Sequence, residues 1–177
     1  MKDSAFSLLT LHIGEQACSL AVHRAQPTTA EESLDGVSVL ALALGSVKTS
    51  NEFFRPYPPR PLNLENAIAA VEDELSKLRH LAAGLPRPVL QSSDESVRQI
   101  ALACGVGSDA ALSVDAVERA FNDLVALSSG GRSAFTSAAG MAAPWAADPH
   151  AGAVLLILRE FMHHMKFDAL QVFGANN

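Results

Sequence analysis

Apolar and polar positions alternate along the start of the chain, and a period of two predicts strands. In residues 6–13, Leu9, Leu11 and Ile13 fall on one face, with Ser7, Thr10 and His12 offset from them. In residues 17–24 the alternation is stricter, Cys18, Leu20 and Val22 against Ser19 and His23. Gly14-Glu15-Gln16 separates the two runs, which predicts a β-hairpin. The polar residues 26–36 read as an exposed loop. Residues 37–44 are then an apolar run closed by Gly45, the pattern of a strand buried on both faces. Residues 1–45 are therefore expected to form a three-stranded meander.

Residues 46–61 lose both periods and read as an irregular, proline-rich connection, because Pro56, Pro58, Pro59 and Pro61 remove backbone donors. A helical period follows. Leu64, Ile68, Val71, Leu75 and Leu78 form one stripe, with Asn63 as the expected cap, Glu65 in the first turn and Gly84 as the stop. Val89-Leu90-Gln91 reads as a short strand leading into a helix, with Ser92 and Glu95 as a capping box. Asp115 and Glu118 suggest a second box in a further helix, with Val114, Val117, Phe121 and Leu124 inward. Residues 128–152 read as a long loop or a weak helix around 137–141. A last helix over about 152–165 and a strand over 169–173 complete the pattern. The expected fold is one domain over residues 1–177, α/β or α+β. A mixed sheet of four or five strands begins with an antiparallel meander and is packed by about four helices. Residues 62–177 supply the helices and one or two further strands.

Hydrophobic residues make up 49% of the chain and charged residues 18%, enough apolar material for a core. Thirteen basic against nineteen acidic residues leave a net charge of −6, which disfavours a nucleic-acid partner. No apolar run is long enough to span a membrane, and no secretory signal opens the chain. Cys18 and Cys104 are too few for a disulfide scaffold. Together these features predict a cytoplasmic protein.

Several groups of residues could carry chemistry. Glu160, His164 and Asp168 lie on or just after the last helix, and Glu160 with His164 sits four apart beside its apolar stripe. With His12 they are candidates for a metal- or water-activating site. The second Glu-x-x-His pair of a di-metal bundle is missing. Arg55, Tyr57 and Arg60 lie among the prolines, where a rigid segment loses little entropy on binding, and could hold an anionic small molecule. Gly45-Ser46-Val47-Lys48-Thr49 follows a strand, but Val47 stands where a phosphate loop needs glycine. Ser129–Ser133 is hydroxyl-rich without a nucleophile elbow, and Trp145 is the only tryptophan.

The order strand, Gly14, strand, loop, strand, helix is similar in layout to the opening of actin-like and sugar-kinase-like ATPases. Those open with hydrophobic-Asp-x-Gly-Ser/Thr. Here His12 stands at the aspartate position and Glu15 at the hydroxyl position, and a carboxylate beside a phosphate repels it. The resemblance implies a related sheet without the ATPase chemistry.

Two functions follow. The first is a non-catalytic, self-associating binding domain, perceived in the absence of a complete catalytic set. The alternative is a hydrolase using the His and carboxylate candidates. No motif specifies a cofactor. Surplus apolar stretches predict a homodimer, with the last helix or the proline segment contributing.

Overall fold

A computed structural model describes residues 6–25, 37–82, 84–107, 110–133, 135 and 142–173. Six strands form one mixed sheet in the order β3-β2-β1-β4-β6-β5. They are β1 (Phe6–Ile13), β2 (Cys18–Ala25), β3 (Val37–Leu42), β4 (Pro88–Ser92), β5 (Ala111–Ser113) and β6 (Ala169–Val172). The helices are α1 (Ser46–Phe53), α2 (Pro61–Ser76), the single turn α3 (Arg79–Ala82), α4 (Glu95–Ala103), α5 (Val114–Ser128) and α6 (Pro149–Met165). This is the expected α/β class, with an antiparallel meander at one side. The parallel strands β1, β4 and β6 form the centre.

The pleat decides which face holds the core. Leu9, Leu11 and Ile13 of β1 align with Val22, Leu20 and Cys18 of β2, and all are buried. Ser7 is on this face too, not offset from it, and is fully buried. Helix α6 lies over this layer and packs against α1, α2, α4 and α5. Its residues from Gly152 to Leu158 are all buried. The apolar surplus of α6 is thus consumed inside the chain's own core, which leaves no apolar face there for a partner.

Tertiary contacts explain where the pattern misleads. Strand β3 is an edge strand, not one buried on both faces: among the described residues it pairs only with β2, and Val39 is 66% exposed. Residues 46–53 are helical because backbone carbonyls elsewhere cap them, as described below. Helix α2 begins at Pro61, whose missing donor suits the first turn, while the Asn63 side chain reaches the Arg55 carbonyl at 3.4 Å. Helix α4 is entered through Asp94, not Ser92. Helix α5 is capped by Ser113, whose hydroxyl accepts from the Ala116 amide at 3.2 Å. The extra strand β5 has three residues, too few to show a period. The loop at 26–36 and the helix considered at 137–141 lie outside the described residues.

Candidate functional site

The chain leaves β1 toward β2 on one side and leaves β4 toward β6 and β5 on the other. The carboxyl ends of β1 and β4 are therefore a topological switch point, where open α/β sheets leave a crevice. His12 and Ile13 end β1, and Asp94 follows β4 by two residues. One Asp94 oxygen accepts the Ile13 amide at 2.6 Å, and the other lies 2.6 Å from His12 Nδ1. The Ser92 hydroxyl accepts the Asp94 amide at 3.2 Å and fixes the turn.

An ionised carboxylate can only accept, so Nδ1 of His12 must carry the proton of that contact. The other ring nitrogen, Nε2, is then a free base when the ring is neutral. The Asp94 side chain is 12% exposed and that of His12 is 61% exposed, so the orienting group is sheltered and the base is open. Cys18 pairs with Ile13 across the hairpin, close to this site. Burial, followed by the charge of Asp94, pushes its thiol up to about 12, which leaves it protonated and unsuited to act as a nucleophile.

The neighbouring helix start is closed to anions. The Ser46 amide donates to the Gly14 carbonyl at 3.0 Å, and the Val47 and Lys48 amides donate to the Glu15 carbonyl at 3.0 and 3.1 Å. The Lys48 ammonium turns back to the Ala43 carbonyl at 2.7 Å. The donors that a phosphate loop would present are therefore occupied by the hairpin. This contact needs Gly45: a Cβ there would lie 2.3 Å from the Glu15 oxygen, a backbone atom that cannot swing away. Gly45→Ala is expected to cost about 1–3 kcal/mol by overpacking. Urea denaturation checks this, and an unchanged midpoint would show that the hairpin is not held against α1.

The structure separates the other sequence candidates. Asp168 precedes β6, at the amino end of the parallel strands, whereas His12 lies at their carboxyl end. Glu160 is 2% exposed and its carboxylate meets Arg159. His164 Nδ1 lies 3.2 Å from the Glu160 carbonyl and does not reach that carboxylate. Glu160, His164, Asp168 and His12 thus do not converge. Among the described residues no group of three His, Cys, Asp or Glu side chains is placed to hold a metal ion. Both Asp94 oxygens are already engaged, which leaves His12 short of the three protein ligands of a catalytic zinc.

The proline segment is used internally. The Tyr57 hydroxyl donates to the Trp145 carbonyl, and Arg55 donates to Asn51 Oδ1 at 2.5 Å. Arg60 is exposed at the start of α2. Arg55, Tyr57 and Arg60 line neither the groove of about 370 Å³ beside β4 and β6 nor the one of about 180 Å³ between α1 and α2. Trp145 is fully buried, and its indole donates to the buried Asp123 at 3.0 Å. His150 meets Ser50 at 3.0 Å, far in sequence from the serines of 129–133, and Ser50 is 2% exposed.

Asp94 is the candidate residue that pattern reading passes over. Its local signal is an acid placed just after a short strand and just before a helix. Its partner, His12, is visible only once β1 and β4 are known to be neighbours.

No protein-family model matches the chain, and no curated protein matches it in sequence. Solved structures do match it in fold. The Aquifex aeolicus Ppx/GppA phosphatase, type II variant, superposes with a TM-score of 0.67 at 16% identity, covering 96% of this chain and 53% of that one. An exopolyphosphatase-like protein gives 0.69 at 13% identity, covering 98% and 57%. An exopolyphosphatase from Cytophaga hutchinsonii gives 0.66 at 13% identity, covering 97% and 54%. The chain spans about half the length of these structures. No helix among the described residues is long and apolar enough to cross a membrane. The chain is an α/β domain with a fold found in Ppx/GppA-type phosphatases.

Proposed function

We propose that the chain is a hydrolase-type domain in which His12, oriented by Asp94, takes a proton from an attacking water. The observation that carries this reading is the His12–Asp94 pair at the switch point, with Nδ1 engaged and Nε2 open. The water oxygen bonds to the electrophilic centre while its proton passes to Nε2. The imidazolium so formed is stabilised by the Asp94 carboxylate and returns the proton to the leaving oxygen. The likeness of fold to phosphatases and exopolyphosphatases supports phosphoesters and phosphoanhydrides as the first substrate class. In sequence, however, the charged residues nearest the pair are Glu15 and Glu95, and the α1 amides are occupied. In this reading His12 supplies the base, and a phosphate is held by groups of the chain other than the α1 amides. Unpaired thiols at Cys18 and Cys104 suit a reducing, cytoplasmic setting.

The test is a substrate panel of p-nitrophenyl phosphate, inorganic polyphosphate and p-nitrophenyl acetate. Hydrolysis of at least one, lost in His12→Ala, is the expected result. A chain inert toward all three, or a His12→Ala variant as active as the parent, contradicts the reading.

A further inference from the structure

Among the described residues, the helices bury one face of the sheet and leave the other open. On the open face Val37, His23, Leu8 and Val89 align in one row across four strands. A second row runs from Val39 through Ala21, Thr10 and Gln91 to Gln171 and Ala111. Val39 is 66%, Val37 49% and Val89 41% exposed. Charged residues form 18% of the chain, yet no outward-facing position of the described strands is Asp, Glu, Lys or Arg. Parallel strands such as β1, β4 and β6 are normally covered on both faces. An uncharged, partly apolar face over a parallel centre is a surface shaped for cover.

We infer that a second copy of this chain covers it, sheet face against sheet face. A two-fold interface brings a patch against itself, so any charge on it meets its own like. With a net charge of −6, two copies repel through most approaches, and this face offers one without like-charge contacts. Six strands about 4.8 Å apart and roughly 20 Å long give a face of about 600 Å². Phe6 and Phe173 at its margin, 49% and 41% exposed, bring it close to the ~800 Å² per partner of a standard interface. The groove of about 370 Å³ lined by Val89, Phe167 and Gln171, with Lys166 and Asp168 of opposite charge at its edge, opens beside it and can seat a partner's side chain. His12 stands in the last outward position of β1, at the rim, so a partner on the central strands walls the crevice without filling it.

Sedimentation velocity over a concentration series tests this on the full chain. The expected species has twice the 18.6 kDa mass of the chain. Val39→Lys and Val89→Lys, each placing a charge against its own copy, are expected to weaken the dimer at least ten-fold. Leu62→Lys, at an exposed position of α2 on the helical side, is expected to leave it unchanged. Circular dichroism confirms that each variant folds, and the two face variants stand in for one another if either does not. A chain that stays monomeric to millimolar concentration overturns the inference, whatever else then covers the face. So does a dimer that tolerates both face variants, or one that only Leu62→Lys disrupts.

Discussion

Replacing Arg159 with alanine is expected to lower the unfolding free energy by about 3–5 kcal/mol, because it strands a buried carboxylate. Glu160 is 2% exposed on α6 and meets the guanidinium of its neighbour Arg159. The same guanidinium reaches Glu118 of α5 through Nε at 2.8 Å and lies over the Phe121 ring at 4.7 Å. His163 also contacts Glu118, so two helices are clasped by four titratable groups. Removing the arginine leaves Glu160 with its desolvation cost and without its compensating charge. Removing both, as Arg159→Met with Glu160→Met, is expected to cost much less, since an apolar pair of similar volume avoids that penalty. Urea denaturation of the single and double variants checks this. A single variant within ~1 kcal/mol of the parent would show that Glu160 does not depend on the pair.

The same cluster sets a pH dependence. Burial pushes the Glu118 carboxyl up, but hydrogen bonds from Arg159 and His163 outweigh it and hold the group below its ordinary value. A carboxyl lowered in the folded state contributes stability that is complete above its unfolded pKa. That contribution is lost as pH falls through the lower, folded value. Parent and Arg159→Ala curves should therefore draw together in acid.

The hairpin of β1 and β2 and the stripes of α2 and α5 are legible in the chain because each is a local period. Leu9, Leu11 and Ile13 can face only one way in a strand, and Val71 and Leu75 only one way on a helix. Features that depend on distant partners are not legible. Strand β3 has the apolar run of a buried strand, yet it ends on the edge of a sheet with one open face. Helix α1 has no cap of its own and is started by carbonyls of Gly14 and Glu15. The site divides in the same way. His12 stands out as a polar residue at a strand end, while Asp94 gains its role from strand pairing across 82 positions of sequence. Glu160 and His164 share a helical spacing that suggests joint chemistry, but burial gives Glu160 to Arg159 and leaves His164 on a carbonyl.

Asp94→Asn is expected to disable the site while leaving the sheet intact. The native carboxylate accepts from two donors, the Ile13 amide and His12 Nδ1. An asparagine has one oxygen and one NH₂ group, so it cannot accept from both. If its oxygen keeps the backbone amide, which has no alternative tautomer, its NH₂ group faces Nδ1. That contact is satisfied only when His12 moves its proton to Nε2. The base is then masked by its own proton, although the residue is in place. General-base catalysis contributes about 10²–10⁴-fold, and a loss in that range is expected. Histidine ring ¹⁵N shifts in parent and variant would show the proton change sides.

The most direct measurement is the rate of hydrolysis by the parent and by His12→Gln, compared on the best substrate of the panel. His12 is 61% exposed at its side chain, so the substitution is expected to leave the fold unchanged, as reported by fluorescence of the sole, fully buried Trp145. A rate at least ~100-fold lower, with unaltered fluorescence, is the predicted result. A His12→Gln variant that hydrolyses as fast as the parent would contradict the account, because the switch-point histidine would then not be the working base.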